Sequence, residues 1–511
     1  MRRSLGEGGT PNADQRSSRR HAPRLAAADS RLPTPDSRFP LPVSVPVSRF
    51  PLPVSLIALG LAALTSCKEV EILNTNNPSI DQLTNNPTPA TVATATQGLL
   101  ITIRGLAGTY AQTAGIFGRE VYNLDPSEPR TVNGYLVGPL EPGGFGIEFG
   151  FGAAFRGIRA GEGILTAVGQ LESLTEPQKE GIRGFVKTME AYLFLGQALV
   201  HEDLGLPIAV SGTTGSGEPA PIVSKAEVYA NIVRLLDEGK THLTAAGTTP
   251  FAFQLHNGFV GFNTPSTFLR FNRALKARVE IYTKNYAGVL TSLNESFINT
   301  SATTRLSLDV GVYHVFSAAS GDAVNGQFDP TPRAIVVVPS FLNEAQRRAD
   351  NSPDLRASAK AAVSTTTLSQ QGVSSNLRNT LYPTNTTPLA IIRNEELILI
   401  RAEARWFTGA KQTAIDDINF VRVNSGGLAA TALTTASTDD QFITELLSNR
   451  RYSLFFEFGH RWWDARRFNR LATLDKALST HKIFPYVPYP ADECLARNPQ
   501  PANACTQVAG V

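Results

Sequence analysis

The sequence predicts a mainly α-helical protein built from helix pairs, with long loops and a few short strands. Apolar residues recur at helical spacing in most segments after residue 90. Two segments have the pattern of a helix, a short turn and a second helix, and the stretches between helices are rich in Gly, Pro, Thr and Asn. We find no alternation of strands and helices that would indicate a Rossmann fold or a barrel.

Predicted helices are justified in chain order by their apolar spacing. They cover residues 91–117, 153–172, 178–201, the segment behind Ser224, 266–283, 287–297, 394–407 and 411–423. Ser224 is predicted to be an N-cap, because Glu227 follows three residues later and completes a capping box. Long loops are predicted at 121–152, 205–223, 247–265 and 300–388, the last with short strands around 310–315 and 335–338.

The last four helices form two antiparallel pairs that resemble tetratricopeptide repeats. Small residues would let the paired helices cross closely, namely Ala274, Ala277, Ala402 and Ala404. The two copies differ too much for a regular solenoid. We therefore expect one helical domain over 91–511, with an N-terminal half at about 91–245 and a C-terminal half at about 266–511.

The composition limits the class of protein. The chain has 511 residues, 42% of them apolar and 18% charged, and a net charge of +3. It can bury a core and is not wholly disordered. Residues 1–66 carry nine arginines and four acids, so the remainder is slightly acidic. This charge argues against a dedicated nucleic-acid-binding protein, and three cysteines are too few for a disulfide-dense fold.

Residues 1–66 are predicted to be a disordered extension followed by a signal peptide. The segment 37–44 recurs as 48–55, and both copies are rich in proline. Residues 1–50 are either a proline-rich recognition tail or the product of a start codon placed too far upstream, and we favour the second interpretation. The apolar run 54–64 is too short to span a bilayer.

Leu64-Thr65-Ser66-Cys67 ends that run and resembles a bacterial lipobox. Cys67 is thus the predicted lipidation site and the N-terminus of the mature chain, and its acyl chains would anchor it stably in a membrane. Residues 67–90 are predicted to be a polar tether. Its early acids, Glu69 and Glu71, resemble a surface-export signal, although an ordinary linker has the same composition.

Residues 450–470 combine six arginines, two acids and seven aromatic residues. Arginine with aromatic residues is compatible with stacking on nucleic acid, but we favour a structural role. The predicted structural residues are Arg451, Glu457, Arg461, Trp462 and Asp464. Upstream, Ile443, Leu447, Leu454 and Phe458 are predicted to mark the buried face of a helix.

This run resembles the C-terminal signature of the SusD/RagB family: an arginine pair, apolar residues, Glu457, Gly459, His-Arg-Trp, Asp464 and arginine. It departs from the family pattern at Phe458, which separates Glu457 from Gly459, and at Asn449, where an acid is common. Further segments resemble the family in order: 190–194, 206–208, 394–404, 418–422 and 484–488. The region 300–388 resembles it least.

The resemblance implies a lipid-anchored outer-membrane protein at the surface of Bacteroidetes-type cells.

 It would bind a nutrient, a glycan or a peptide, and pass it to a SusC-like TonB-dependent barrel, without binding nucleic acid. In such a protein, loop aromatics stack on sugar rings and polar side chains bind hydroxyls. The candidate ligand-binding residues on loops are Asp125, Arg130, Tyr135, Phe149, Tyr313 and Tyr382.

Signals for an enzyme are weak. His201-Glu202-Asp203 lacks the second histidine of a zincin helix, and Gly143-Gly144-Phe145-Gly146 is neither a P-loop nor a dinucleotide fingerprint. We therefore predict no catalytic residue, metal or cofactor. Two alternatives stay open: a membrane-anchored glycan-active enzyme, and a tetratricopeptide-type assembly scaffold.

Cys494 and Cys505 lie eleven residues apart near the end of the chain. In an exported protein such a pair is expected to form a disulfide, and the alternative is two free thiols.

Overall fold

The computed structural model describes residues 80–209, 219–301, 304–329 and 333–511. The predicted signal peptide, Cys67 and the first part of the tether lie outside these ranges. Within them, no helix has both the length and the apolar character needed to cross a membrane.

Helices form most of the regular structure, which confirms the mainly α prediction. In chain order they are α1 (Ile80–Asn85), α2 (Pro89–Phe117), α3 (Arg130–Val132), α4 (Phe151–Gln170), α5 (Glu176–His201), α6 (Lys225–Ala246), α7 (Pro265–Tyr282), α8 (Tyr286–Asn294), α9 (Arg305–Leu308), α10 (Ser340–Asn343), α11 (Leu355–Lys360), α12 (Asn394–Phe407), α13 (Lys411–Asn424), α14 (Asp439–Ser453), α15 (His460–Arg467) and α16 (Ala491–Leu495). The eight helices predicted from apolar spacing are all present, with ends within a few residues of those expected.

The predicted capping box at the start of α6 is confirmed. The backbone N–H of Ser224 donates to Glu227 Oε2 at 2.9 Å, and the N–H of Glu227 donates to Ser224 Oγ at 3.4 Å. These bonds satisfy two of the donors that a helix start leaves without an intrahelical partner.

The tether prediction needs a correction at its C-terminal end. Residues 80–85 form α1, and Leu83 is buried in the main core instead of lying in a solvated linker. The Asn- and Pro-rich composition on both sides of α1 concealed this short helix. The ordered domain thus begins before residue 91.

Eight strands form three small antiparallel sheets among the described residues. They are β1 (Val121–Asn123), β2 (Leu206–Pro207), β3 (Ile222–Val223), β4 (Gly311–His314), β5 (Ile335–Val337), β6 (Ala361–Gln370), β7 (Val373–Asn379) and β8 (Leu389–Arg393). The sheets have the orders β1-β5-β7-β6, β2-β3 and β4-β8. In the first sheet Val121 lies opposite Val337, so a strand next to α2 pairs with one from the predicted long loop.

The hairpin of β6 and β7 was not predicted. Gln371 and Gly372 connect the strands, and both have positive φ, 50° and 82°. A two-residue loop with positive φ at both positions matches the right-handed twist of a hairpin. The Ser- and Thr-rich β6 is largely exposed, so its sequence shows no alternation of apolar and polar residues.

Helix pairs pack closely where small residues meet. At the crossing of α5 and α6, a Cβ on Gly184 would lie 2.6 Å from Leu243 Cγ, and one on Gly239 would lie 2.9 Å from Thr188 Oγ1. The four alanines predicted to lie at crossings are completely buried, namely Ala274, Ala277, Ala402 and Ala404. Close packing of this kind makes the pairs a rigid frame.

In the Arg/Trp cluster, which we define as residues 450–467, the two carboxylates are buried and paired with arginines. Glu457 Oε1 accepts from Arg393 Nη2 at 2.8 Å, and Asp464 binds Arg450 at 2.6 Å and Arg467 at 2.8 Å. The partner of Glu457 thus comes from β8 and not from the run itself.

The two indoles of the Arg/Trp cluster are buried and hydrogen-bonded. Trp462 Nε1 donates to the carbonyl of Phe484 and Trp463 Nε1 to that of Phe458, both at 2.8 Å. Trp462 also contacts the ring of Phe117 at a centroid distance of 4.8 Å, so α15 packs against α2. Buried Trp in proteins usually finds such an acceptor.

The predicted helix face upstream of this cluster is wrong by one residue. On α14, Phe442 and Leu446 are fully buried, whereas Ile443 and Leu447 are partly exposed. The helix ends at Ser453, so Leu454 and Phe458 lie beyond it. Both are buried, but a turn places them, with Phe456 at φ 56°.

The end of the chain is hydrogen-bonded to the N-terminal half. The N–H groups of Lys482, Val487 and Val508 donate to the carbonyls of residues 136, 200 and 140 at 2.6, 3.1 and 2.7 Å. Tyr489 Oη donates to the carbonyl of Gly205 at 2.7 Å. The two predicted halves therefore share one interior.

In this same C-terminal segment, Cys494 and Cys505 form a disulfide, with Cα atoms 5.7 Å apart.

Candidate ligand-binding pocket

Three of the predicted ligand-binding aromatics are buried, which corrects that prediction. Tyr135, Phe149 and Tyr382 are 7%, 2% and 2% exposed. The ring of Phe117 packs on the first two, and Tyr382 Oη donates to the carbonyl of Phe456 at 2.8 Å. Since neither face of these rings is open, they support loops from inside and do not stack on a ligand.

The other three candidates do not form one site. Arg130 is exposed and paired with Glu128 at 2.6 Å, and Asp125 accepts from the hydroxyl of Ser127 at 2.7 Å. Tyr313 lies on β4, and its hydroxyl donates to the carbonyl of Asp309. Each is satisfied by a neighbour in sequence, so the sequence-based site is not assembled.

A different pocket lies where α2 meets two loops. Its cavity volume is about 410 Å³. We call it the loop pocket, and its lining residues are Gln97, Leu100, Ile101, Arg104, Gln254, Leu255, His256, Gly321 and Asp322. Small-molecule sites in proteins typically have volumes of roughly 300–1,000 Å³.

Arg104 holds the loop pocket together. From α2 its Nη1 donates to the carbonyl of Val315 at 3.0 Å, and its Nη2 pairs with Asp322 Oδ1 at 2.5 Å. The guanidinium also lies 5.9 Å from the ring centre of Phe316. One side chain thus fixes the 315–322 loop against the helix.

Hydrogen bonds to the residues that follow the 315–322 loop also hold it in place. The N–H of Ser317 donates to the carbonyl of Ala323 at 3.1 Å, and Asn325 Nδ2 donates to the carbonyl of Thr387 at 2.7 Å. On the opposite wall, the N–H of Gly258 donates to His256 Nδ1 at 3.2 Å. Both walls are therefore shaped before any ligand binds.

The charges of the loop pocket cancel. The N–H of Ala323 and the Arg104 guanidinium hold the pKa of Asp322 below its ordinary value, so it is ionised at neutral pH. Burial and the same guanidinium lower the pKa of His256, and burial lowers the pKa of His314, behind it, to about 3. With both imidazoles neutral, one cation faces one anion.

Two amides in the loop pocket are available to a ligand. Gln97 and Gln254 are exposed, and neither side chain bonds to any residue that the structure describes. Ile101 stands beside them with 57% exposure, which gives the rim an apolar surface. The pocket thus offers donors, acceptors and an apolar patch, but no net charge.

The sequence did not reveal the loop pocket because its residues come from three distant segments. Gln97 and Arg104 lie on a helix, Gln254 and His256 follow a Phe-rich loop, and Asp322 lies in a turn. A polar stripe on α2 opposite its apolar face was the available signal. In the described part of the chain, no three His, Cys, Asp or Glu side chains are grouped as metal ligands.

Comparisons with known proteins agree with this architecture. The family model described as the SusD family matches residues 347–506. Among curated proteins none matches. A SusD superfamily protein from Bacteroides vulgatus is 16% identical with a TM-score of 0.59, covering 83% of this chain and 99% of its own. One from Bacteroides fragilis is 14% identical with a TM-score of 0.61, covering 80% and 98%.

A third structure, titled a putative sugar-binding protein from Bacteroides vulgatus, is 15% identical with a TM-score of 0.60 and covers 83% of this chain and 99% of its own. At such identities these structures show the fold. Residues 347–506, which contain the Arg/Trp cluster, match the SusD family model, and the solved structures show that the chain has the fold of SusD superfamily proteins.

Proposed function

We propose that the protein is a surface-exposed outer-membrane lipoprotein that binds a nutrient, a glycan or a peptide, in the loop pocket. It passes this cargo to a SusC-like TonB-dependent transporter, and Cys67 carries the lipid anchor. It binds its cargo without turning it over.

The observation that carries the proposal is the pair of unpartnered amides beside a self-neutralised ion pair. Sugar hydroxyls and peptide groups are neutral and need both donors and acceptors, which Gln97 and Gln254 supply. A pocket of uncompensated charge would favour ions instead. The structural relative titled as sugar-binding supports the same class of ligand.

A protein that hands cargo to a transporter must release it. We therefore expect dissociation constants in the micromolar to millimolar range, roughly −4 to −8 kcal/mol. The open rim fits this, because Gln97, Gln254 and Asp322 are all exposed and a bound ligand stays partly hydrated.

The test is titration calorimetry of the purified chain against a panel of neutral oligosaccharides and peptides, with chromatography of the recovered ligand. The double variant Gln97→Ala, Gln254→Ala should weaken binding about tenfold, or ~1.4 kcal/mol. Gln412→Ala is the matched control, since Gln412 is an exposed amide on α13. It should bind as the unaltered chain does.

Three results would contradict the proposal. If the double variant binds as tightly as the unaltered chain, the ligand site lies outside the loop pocket. Sustained formation of product from the ligand would favour an enzyme. Absence of binding to either ligand class, with co-purification of periplasmic machinery instead of a barrel transporter, would favour an assembly scaffold.

A further inference from the structure

A second pocket lies against α14 and α15 and carries a different charge pattern. It has a cavity volume of about 280 Å³. We call it the arginine pocket and define it by Glu344, Arg451, Tyr452, Arg461 and Arg470, which all line it. None of these residues belongs to the loop pocket.

The acids near the arginine pocket are already paired. Glu344 pairs with Arg451, and Asp440 pairs with Arg470 at the rim. Asp464, which also lines the pocket, binds Arg450 and Arg467 at 2.6 and 2.8 Å. None of these three carboxylates pairs with a further arginine of the pocket, and Asp475 and Glu120 act on that arginine only from beyond ion-pair distance.

Arg461 is that further arginine. Its Nη1 donates to the carbonyl of Arg119 at 2.5 Å, and it makes no ion pair with any carboxylate in the described ranges. The removal of Arg461 from water and the nearby charge of Arg451 lower the pKa of its guanidinium to about 10. The carboxylates of Asp475, Glu120 and Glu344 offset part of this shift, but none of them lies within ion-pair distance of Arg461.

Other polar groups at the arginine pocket are also unsatisfied. Tyr452 is 2% exposed, and its hydroxyl has no hydrogen-bond partner among the residues described. The Nε atom of Arg451 is also buried and has no hydrogen-bond partner among the residues described. Buried polar atoms without partners are rare in native proteins, so several of them around one cavity indicate a ligand that supplies acceptors.

We propose that the arginine pocket binds an oxyanion, the carboxylate or sulfate group of a small acidic ligand. The planar guanidinium fork of Arg461 suits two oxygens of such a group, and Arg451 Nε and the Tyr452 hydroxyl are further donors. The small volume admits an ion or a single acidic residue, not an oligomer. The proposal does not depend on the loop pocket being the nutrient site.

The test uses D-glucuronate and inorganic sulfate as probes, with D-glucose as the neutral counterpart, in calorimetry at low salt. Both anions should bind the unaltered chain, less tightly as salt is added because salt screens the attraction. Arg461→Gln should weaken glucuronate binding at least tenfold. Arg130→Gln is the matched control, since Arg130 is an exposed arginine far along the chain from this pocket. Binding of sulfate without glucuronate would limit the site to inorganic ions.

A second variant keeps the proposal testable if Arg461→Gln fails to fold. Ser448 lines the arginine pocket, so Ser448→Asp places a carboxylate inside it. This variant should melt at a higher temperature and lose glucuronate binding. The proposal fails if neither anion binds, or if Arg461→Gln or a folded Ser448→Asp binds glucuronate as tightly as the unaltered chain.

Discussion

The Arg/Trp cluster and the loop pocket contain similar polar side chains in opposite arrangements. In the cluster, Glu457 and Asp464 are buried and each meets at least one guanidinium. In the loop pocket, an ion pair with an exposed carboxylate lies beside two exposed amides that have no partner in the structure as described. Polar groups that are buried and partnered hold the fold, and those that are exposed and unpartnered are free to bind.

The two regions also differ in how much their ion pairs contribute to the free energy of unfolding. A buried ion pair adds little net stability over apolar residues of the same shape, but the loss of one partner leaves an uncompensated charge and costs about 3–5 kcal/mol. The pair of Arg104 and Asp322, whose carboxylate is open to solvent, is worth about 1 kcal/mol or less because water screens it. Mutations in the two regions should therefore affect different measurements.

The largest expected effect is on the Arg/Trp cluster. Trp462→Ala removes a fully buried indole and its hydrogen bond to Phe484, so we expect the free energy of unfolding to fall by about 3–5 kcal/mol. Urea denaturation measures this change. Binding of neutral oligosaccharides and peptides should stay the same below the midpoint, and a stable variant that no longer binds them would show that the cluster is itself the nutrient site.

The disulfide should have a smaller effect. Cys494 and Cys505 close a loop of 11 residues, and removal of such a cross-link costs roughly 3 kcal/mol or less through the unfolded chain. Thiol labelling of the unreduced protein should find neither cysteine free, and the double variant Cys494→Ser, Cys505→Ser should melt at a lower temperature with unchanged ligand binding. Quantitative labelling of both thiols would contradict the bridge.

The last effect, which appears only as the pH changes, concerns a buried acid that the surrounding arginines compensate poorly. Glu120 accepts from the N–H of Phe456 at 3.2 Å, its Oε2 has no partner among the described residues, and burial raises its pKa to about 8. A raised carboxyl pKa means that the folded state holds the proton more tightly. Stability from this group is thus complete below about pH 4.5 and is lost as the pH rises to 8.

Glu120→Gln should flatten this part of the pH dependence, because the amide cannot ionise. Thermal melting of both proteins between pH 5 and 8.5 measures the difference. Glu190, whose pKa burial also raises to about 8, contributes equally to both curves and cancels. Parallel curves would show that Glu120 is compensated after all.

The helices were predictable because each has its own apolar period and, at Ser224, its own cap. The small residues at crossings were predictable for the same local reason, as Ala274 and Ala402 show. The hairpin at Gln371–Gly372 was missed because its exposed strand has no apolar alternation. The local spacing of apolar and small residues was therefore enough to predict the helix pairs.

The proposed ligand site was not predicted from the sequence, because the exposure of a residue depends on the fold and not on its presence in a loop. Tyr135 and Phe149 lie in a segment rich in Gly and Pro, yet they pack on Phe117 inside. Gln97 and Asp322 are more than two hundred residues apart in sequence and meet through Arg104 and its loop. A single sequence carries no signal of that proximity.

The hydrogen bonds between residues 482–508 and the N-terminal half determine which part of the protein can complete its folding last. Carbonyls at positions 136, 140, 200 and 205 find their donors on residues 482 to 508. Until the ribosome has finished the chain, these acceptors have no native partner, and the N-terminal helices can form but cannot close. Contacts of such long range slow folding, so we expect completion to be a late, whole-chain event.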